Sequence, residues 1–179
     1  MSKEAKFLSM ALRHKPEEIG LALDKNAWAD VDDLLLKMKK AGRKLSRQQL
    51  EEIVATNDKQ RFTLSPDGTR IRAAQGHSFE VDLGLEPSDP LAALFHGTAR
   101  SSLDSIFVSG LEAKGRSQVH LSTDETTAKR VGERHGKAVI LSVDAERMHN
   151  DGFLFYRADN GVWLTDRVPR DYLGFGLVQ

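Results

Sequence analysis

A chain of 179 residues, 40% hydrophobic and 29% charged, has the composition of an ordinary soluble globular protein, long enough for one large domain or two small ones. No apolar run approaches the ~18 residues of a membrane span, and with no cysteine there is neither a disulfide framework nor a thiolate metal site. The formal net charge of zero argues against a generic nucleic-acid binder, yet residues 1–79 carry 15 Lys+Arg against 11 Asp+Glu and residues 80–179 carry 11 against 15, which makes the first part the expected phosphate binder.

The segment Met1-Ser2-Lys3-Glu4-Ala5-Lys6 lacks a signal-peptide core, so a cytoplasmic protein is expected. An apolar-periodic helix covers about Lys3 to Leu12. A second starts near Asp30 and ends at Gly42, and a third starts at Ser46, where Gln49 completes a capping box, and runs to about Thr56. Two short strands, 61–64 and 69–72, are joined by Pro66-Asp67-Gly68. Three helices followed by a hairpin predict a winged-helix-like lobe over residues 1–79. Residues 82–90 combine glycine, two prolines and acids, which places a linker at 80–91. Beyond it, over 92–179, strand-like runs fall at 94–96, 119–121, 138–143, 153–156, 162–165 and 174–178. Helices are predicted at 101–109, closed by Gly110, and at 123–135, closed by Gly136. The chain as a whole reads as α+β with a β-rich second domain.

Two histidine motifs stand out in that domain, Phe95-His96-Gly97-Thr98 and Val119-His120-Leu121-Ser122. Each is built like a short strand that delivers a polar side chain, and Gly97 lets a ligand or a second backbone approach closely. One such histidine is more often a hydrogen-bonded core residue. Two of one design ask for a common purpose. Ser122-Thr123-Asp124-Glu125 has the pattern of a capping-box start, which sets His120 just before a helix N-terminus that favours anions.

The order His96-Gly97-Thr98, Gly110-Leu111, Arg116, Val119-His120-Leu121-Ser122 and Asn160-Gly161-Val162-Trp163-Leu164 resembles the NAD-binding lobe of the RNA 2′-phosphotransferases, also called tRNA 2′-phosphotransferases, of the ADP-ribosyltransferase superfamily. Leu12-Arg13-His14-Lys15-Pro16, Asp58-Lys59-Gln60-Arg61-Phe62 and Ile71-Arg72-Ala73-Ala74-Gln75-Gly76-His77 are similar to the upstream half of the same family, so the resemblance covers nearly the whole chain. It implies an N-terminal winged-helix-like RNA-binding lobe, a C-terminal ADP-ribosyltransferase-like lobe, and an active site in the cleft between them. The implied activity, in the setting of tRNA splicing or RNA repair, moves an internal RNA 2′-phosphate to NAD through an ADP-ribosylated RNA intermediate. Its products are 2′-OH RNA, ADP-ribose 1″,2″-cyclic phosphate and nicotinamide. NAD is then consumed as a co-substrate, no metal is expected, and a monomer is sufficient. The chain has neither GxGxxG nor GxxxxGK, consistent with that superfamily, which uses no Rossmann fingerprint.

By resemblance Arg13, His14, Arg61 and Arg116 are the catalytic residues. Guanidinium forks match phosphate oxygens bidentately, and a histidine titrating near neutrality is apt as a proton donor. Taken singly, Arg13 and His14 could cap the first helix, Arg61 could be a solvated strand-end charge, and Arg116 a surface turn. Their joint order favours the site. His96, Gly97, Thr98, Gly110, Leu111, His120 and Ser122 are implied to bind NAD, although capping explains Ser122 equally well. Arg72, Gln75 and His77 are implied to contact RNA. Protein-modifying relatives in the superfamily use a strand glutamate to activate the acceptor. The corresponding segment here, 160–164, is apolar, and a phosphate acceptor is already a nucleophilic anion. Two rivals are an ADP-ribosyltransferase acting on nucleic-acid phosphates or protein, and a non-enzymatic NAD-sensing winged-helix regulator.

Overall fold

The computed structural model describes residues 2–176. It divides into two compact units, one running to Gly84 and including Gly115–Ser117, the other formed by Leu85–Lys114 and the chain from Gln118. The architecture is α+β with small antiparallel sheets. Among the described residues no helix is long and apolar enough to cross a membrane.

In the first unit, α1 (Lys3–Arg13) starts where the Ser2 hydroxyl accepts from the Ala5 N–H at 3.1 Å, and it buries Ala5, Leu8, Ala11 and Leu12 along one stripe. A 3₁₀ turn, Pro16–Ile19, leads to β1 (Ala29–Asp30) and α2 (Val31–Lys40), which Asp30 caps by accepting from the Asp33 N–H at 2.8 Å. α3 (Arg47–Thr56) carries the expected capping box, with Ser46 and Gln49 bonding reciprocally at 3.2 and 2.9 Å. The hairpin strands are β2 (Phe62–Leu64) and β3 (Arg70–Ala73), and β1, which was not foreseen, completes the sheet in the order β1-β3-β2. Leu8, Leu12, Leu34, Met38, Leu50, Phe62 and Ile71 form the core between helices and sheet.

In the second unit, β4 (Ala93–Ala99) pairs along its whole length with β6 (Ala138–Asp144), and β9 (Leu173–Phe175) lies on the other side of β6. The strand expected over 174–178 is therefore displaced, and residues 177 and 178 lie outside the described residues. A second sheet has the order β5-β8-β7, from β5 (Val119–Leu121), β8 (Trp163–Thr165) and β7 (Tyr156–Arg157). Phe95 and Ser122 exchange backbone hydrogen bonds of 2.9 and 2.8 Å and tie the two sheets together. The helices are α4 (Leu103–Ser109), α5 (Glu125–Gly132) and the unforeseen α6 (Ala145–Asn150). The core holds Leu94, Leu121, Leu141, Met148, Phe155 and Trp163.

Two expectations are corrected here. The cap of α5 is Asp124, whose carboxylate accepts from the Thr127 N–H at 2.7 Å, and not Ser122, whose backbone is committed to Phe95. The strand expected over 153–156 survives only as Tyr156 with Arg157, because the Leu154 carbonyl accepts from the Thr165 hydroxyl and the Phe155 carbonyl from the Ser88 N–H.

Candidate active site

α1 ends at Arg13, and His14 is its C-cap, donating its N–H to the Met10 carbonyl at 3.0 Å. Arg13 stands in the last turn, where a cation complements the helix dipole, and both side chains continue into a brace formed by residues 75–78. Arg13 donates from Nε to the Gln75 carbonyl at 2.7 Å, with Nη2 on the same oxygen. Gly76 has φ +86°, and a Cβ there would lie 2.9 Å from Arg13 Nη2, so the brace passes this close to the guanidinium only as glycine. The Ser78 N–H donates to the Arg13 carbonyl at 2.9 Å, and Ser78 Oγ lies 3.1 Å from His14 Nδ1. Neither Gly76 nor Ser78 was singled out from the sequence, although both lie within or beside the Gln75-Gly76-His77 motif.

Arg61, its side chain 17% exposed, precedes β2. Asn57 Oδ1 accepts from Arg61 Nη1 at 3.1 Å and from its backbone N–H at 3.3 Å, with Asp58 3.4 Å from the same Nη1. Asn57 is a second positioning residue that the sequence reading missed. Arg116 comes from the exposed loop Gly115–Ser117 of the same unit. The Arg13 pKa is pushed down to about 10, first by burial and then by the positive charges of Arg61 and Arg116. His14 is lowered by partial burial, then by Arg13 and Arg116. An arginine set among acids would move the other way. These cations repel one another, and a multiply charged anion between them relieves that repulsion.

Arg72 and His77 are buried. Arg72 donates from Nη1 to the Leu83 carbonyl at 2.7 Å and stacks on Trp28, 4.5 Å from the ring centroid. His77 is fully buried against Phe79, and neither ring nitrogen has a hydrogen-bond partner. Burial, then Arg13, Arg72 and His14, hold its pKa down at about 4, so the ring is neutral. Gln75 is half-buried, with its carbonyl engaged by Arg13.

In the second unit, His96 Nδ1 lies 3.1 Å from the His120 carbonyl, so Nδ1 carries a proton and donates. His120 stands between buried Val119 and Leu121, and strand alternation turns it to the opposite face. Both rings are partly exposed, as is Ser122, whereas Thr98 is buried. Gly97 is explained by packing: a Cβ would lie 1.7 Å from the Ala128 carbonyl oxygen of α5. Gly110, at φ +83°, closes α4, and a Cβ there would lie 2.2 Å from the Val168 carbonyl oxygen. Leu111 is buried and exchanges both backbone hydrogen bonds with Val168. Among the described residues no three His, Asp or Glu converge as a metal site.

Partly buried Arg13 and Arg61, the exposed Arg116 and the imidazole of His14 beside Ser78 make an arrangement chemically able to take a phosphate-like oxyanion. The chain belongs to the RNA 2′-phosphotransferase, Tpt1 / KptA family, whose sequence model matches residues 2–167. It is 59% identical over 169 residues to a probable RNA 2′-phosphotransferase of Agrobacterium fabrum, covering 94% of this chain and 91% of that protein. A protein of the same description from Pseudomonas fluorescens is 53% identical over 170 residues (94% and 93%), and one from Rhodopirellula baltica is 50% identical over 172 residues (96% and 94%).

Proposed function

We propose that the protein is an NAD-dependent RNA 2′-phosphotransferase whose substrates are NAD and an RNA bearing an internal 2′-phosphate. The observation that carries this assignment is the gathering of cations about Arg13 and His14: beyond burial, the positive charges of Arg61 and Arg116 lower Arg13, and those of Arg13 and Arg116 lower His14. In the first step a 2′-phosphate oxygen bonds to the anomeric carbon of the nicotinamide ribose, and the bond to nicotinamide breaks. In the second, the neighbouring ribose hydroxyl attacks phosphorus and gives its proton to water, the bond to the RNA 2′-oxygen breaks, and that oxygen takes a proton. Arg13, Arg61 and Arg116 hold the phosphoryl oxygens through both steps. His14 delivers the proton, and the bound phosphate raises its lowered pKa by opposing the charges of Arg13 and Arg116.

In the second unit His96, Thr98, His120 and Ser122 supply polar contacts to NAD, while Gly97, Gly110 and Leu111 fix the backbone that carries them. Arg72 and His77, being buried, act through Arg13 and Trp28 and not on RNA directly, and Gln75 holds Arg13. The first unit serves as the winged-helix-like RNA lobe and the second as the ADP-ribosyltransferase-like lobe. One catalytic set per chain makes a cytoplasmic monomer sufficient.

The test is incubation with a short RNA bearing one internal 2′-phosphate, with and without NAD, and identification of every product. Loss of the 2′-phosphate with one nicotinamide released per phosphate supports the proposal. Phosphate loss without NAD, or inorganic phosphate as the first product, overturns it.

A further inference from the structure

The outer face of α1 carries a row of cations that ends in the arginine cluster. Lys3, Lys6, Met10 and Arg13 recur at intervals of three and four residues, opposite the buried stripe of Ala5, Leu8 and Leu12. Lys3 and Lys6 are exposed, and among the described residues no acid pairs with either. Glu4 is the one acidic residue in α1, and it stands off this row. Arg43, from the exposed turn between α2 and α3, lies over the Phe7 ring at 5.5 Å from its centroid, which sets a further cation against α1. Helical rise puts Lys6 roughly 10 Å and Lys3 roughly 15 Å from Arg13 along the axis.

A single strand of RNA presents one phosphate per nucleotide, with sugars and bases between them. A row of cations interleaved with partly exposed Met10 matches that alternation, since charged heads take phosphates and apolar surface takes sugar and base faces. A lysine face made only for solubility has no reason to run in register with Arg13, and the other cations of α1 lie on the same row as Arg13. We propose that Lys3, Lys6 and Arg43 form a docking track for the RNA strand that flanks the 2′-phosphorylated nucleotide, engaging roughly two to three backbone phosphates. The proposal rests on Arg13 being a ligand of the 2′-phosphate. The track gives affinity without sequence preference, because phosphate contacts position the strand and do not read bases. Substrate choice by the enzyme then follows the presence of flanking single strand on one side of the modified nucleotide.

The experiment compares the parent protein with the combined variant Lys3→Ala, Lys6→Ala, Arg43→Ala, using a fluorescent single-stranded 10-mer with one internal 2′-phosphate and a trimer with the same modified nucleotide. Binding is read by fluorescence anisotropy over a range of NaCl concentrations without NAD, and turnover is read separately with NAD. The variant is expected to bind the 10-mer about ten-fold more weakly at low salt. Its plot of log affinity against log salt is expected to be shallower by about 2, since each single-strand phosphate contact contributes about 0.7. Turnover of the trimer is expected to stay at the parent rate. Equal affinity and slope in parent and variant overturn the track, as does an equal loss on the trimer. Sedimentation with phosphatidylserine vesicles in preference to binding the 10-mer also overturns it, assigning the row to a membrane surface. If the parent leaves both RNAs phosphorylated, the proposed activity fails, and the anisotropy series still decides the track.

Discussion

His77 is a buried imidazole without a hydrogen-bond partner, and its neutrality is a stability statement. Its folded pKa of about 4 lies below the ordinary 6.5, so the unfolded chain binds the proton more tightly between those values. Stability from keeping the ring neutral is fully present above pH 6.5 and is lost as pH falls toward 4, by about 2 kcal/mol at pH 5 and roughly 3 kcal/mol in all. His77→Leu, which removes both unpartnered nitrogens, is expected to flatten that acid limb in urea unfolding between pH 7 and pH 5. An unchanged slope contradicts the assignment. Gly76 belongs to the same brace, with a different signature. An added Cβ meets the far end of a flexible arginine, so it displaces the Arg13 guanidinium instead of prying the fold apart. Gly76→Ala is expected to cost about 1–2 kcal/mol for its positive φ. It should lower kcat by roughly 10²–10³, the usual loss for a misplaced donor in a transition-state clamp. Thermal melting and single-turnover rates on one preparation separate the two effects, and a kcat loss no larger than the stability loss explains would exclude a positioning role.

At the scale of elements, the second unit depends on close backbone packing of β4 against α5. The two elements touch through Gly97 and Gly132, where a Cβ on Gly132 would also come within 3.0 Å of the Thr98 nitrogen. Gly97→Ala forces Cβ onto the Ala128 carbonyl, which is main chain and cannot swing aside. The expected cost is about 3 kcal/mol or more, read from the fluorescence of buried Trp163 during urea unfolding. A stable fold with only a raised KM for NAD assigns Gly97 to cofactor contact instead. From sequence, Gly97 invited a ligand or a second backbone, and the residue alone does not distinguish them. Elements with long apolar periods and local caps were legible: the capping box at Ser46 and Gln49 and the cap at Asp30 act over three residues, which a linear reading sees. β1 and α6 were not. β1 has two residues and exists only through its pairing with β3, and α6 begins where the Asp144 side chain accepts from Arg147 at the end of a strand. The gathering of Arg13, Arg61 and Arg116 agrees with their family order, but the burial of His77 was not legible, because Gly76 and polar Ser78 flank it in the chain and its burial comes from distant packing.

For the molecule as a whole, the formal charge of zero conceals a local excess where the phosphate is proposed to bind. With Asp58 against Arg61, the three guanidiniums leave a net charge of +2 that matches a phosphate dianion, so the proposed reaction is expected to continue at its full rate in EDTA. Strict Mg²⁺ dependence with purified reagents contradicts this. The same charge sets how the two steps of the proposed reaction divide. In the first step negative charge leaves the phosphate as its oxygen bonds to the ribose, so the arginines chiefly place the nucleophile. In the second, a hydroxyl attacks phosphorus while an alkoxide departs, and charge must be held on the phosphoryl oxygens and the leaving oxygen. Interactions that strengthen in a transition state accelerate that step alone, so the arginine contribution falls mainly on the second. Arg61→Ala or Arg116→Ala is therefore expected to slow step two by roughly 10²–10³ and step one by less, so that RNA-2′-phospho-ADP-ribose accumulates. His14→Ala should add to that accumulation, because the departing RNA oxygen loses its proton donor. Gel separation of radiolabelled RNA through a single turnover reads both steps. Slow nicotinamide release with no build-up of the intermediate places these residues in binding or the first step, and the division fails.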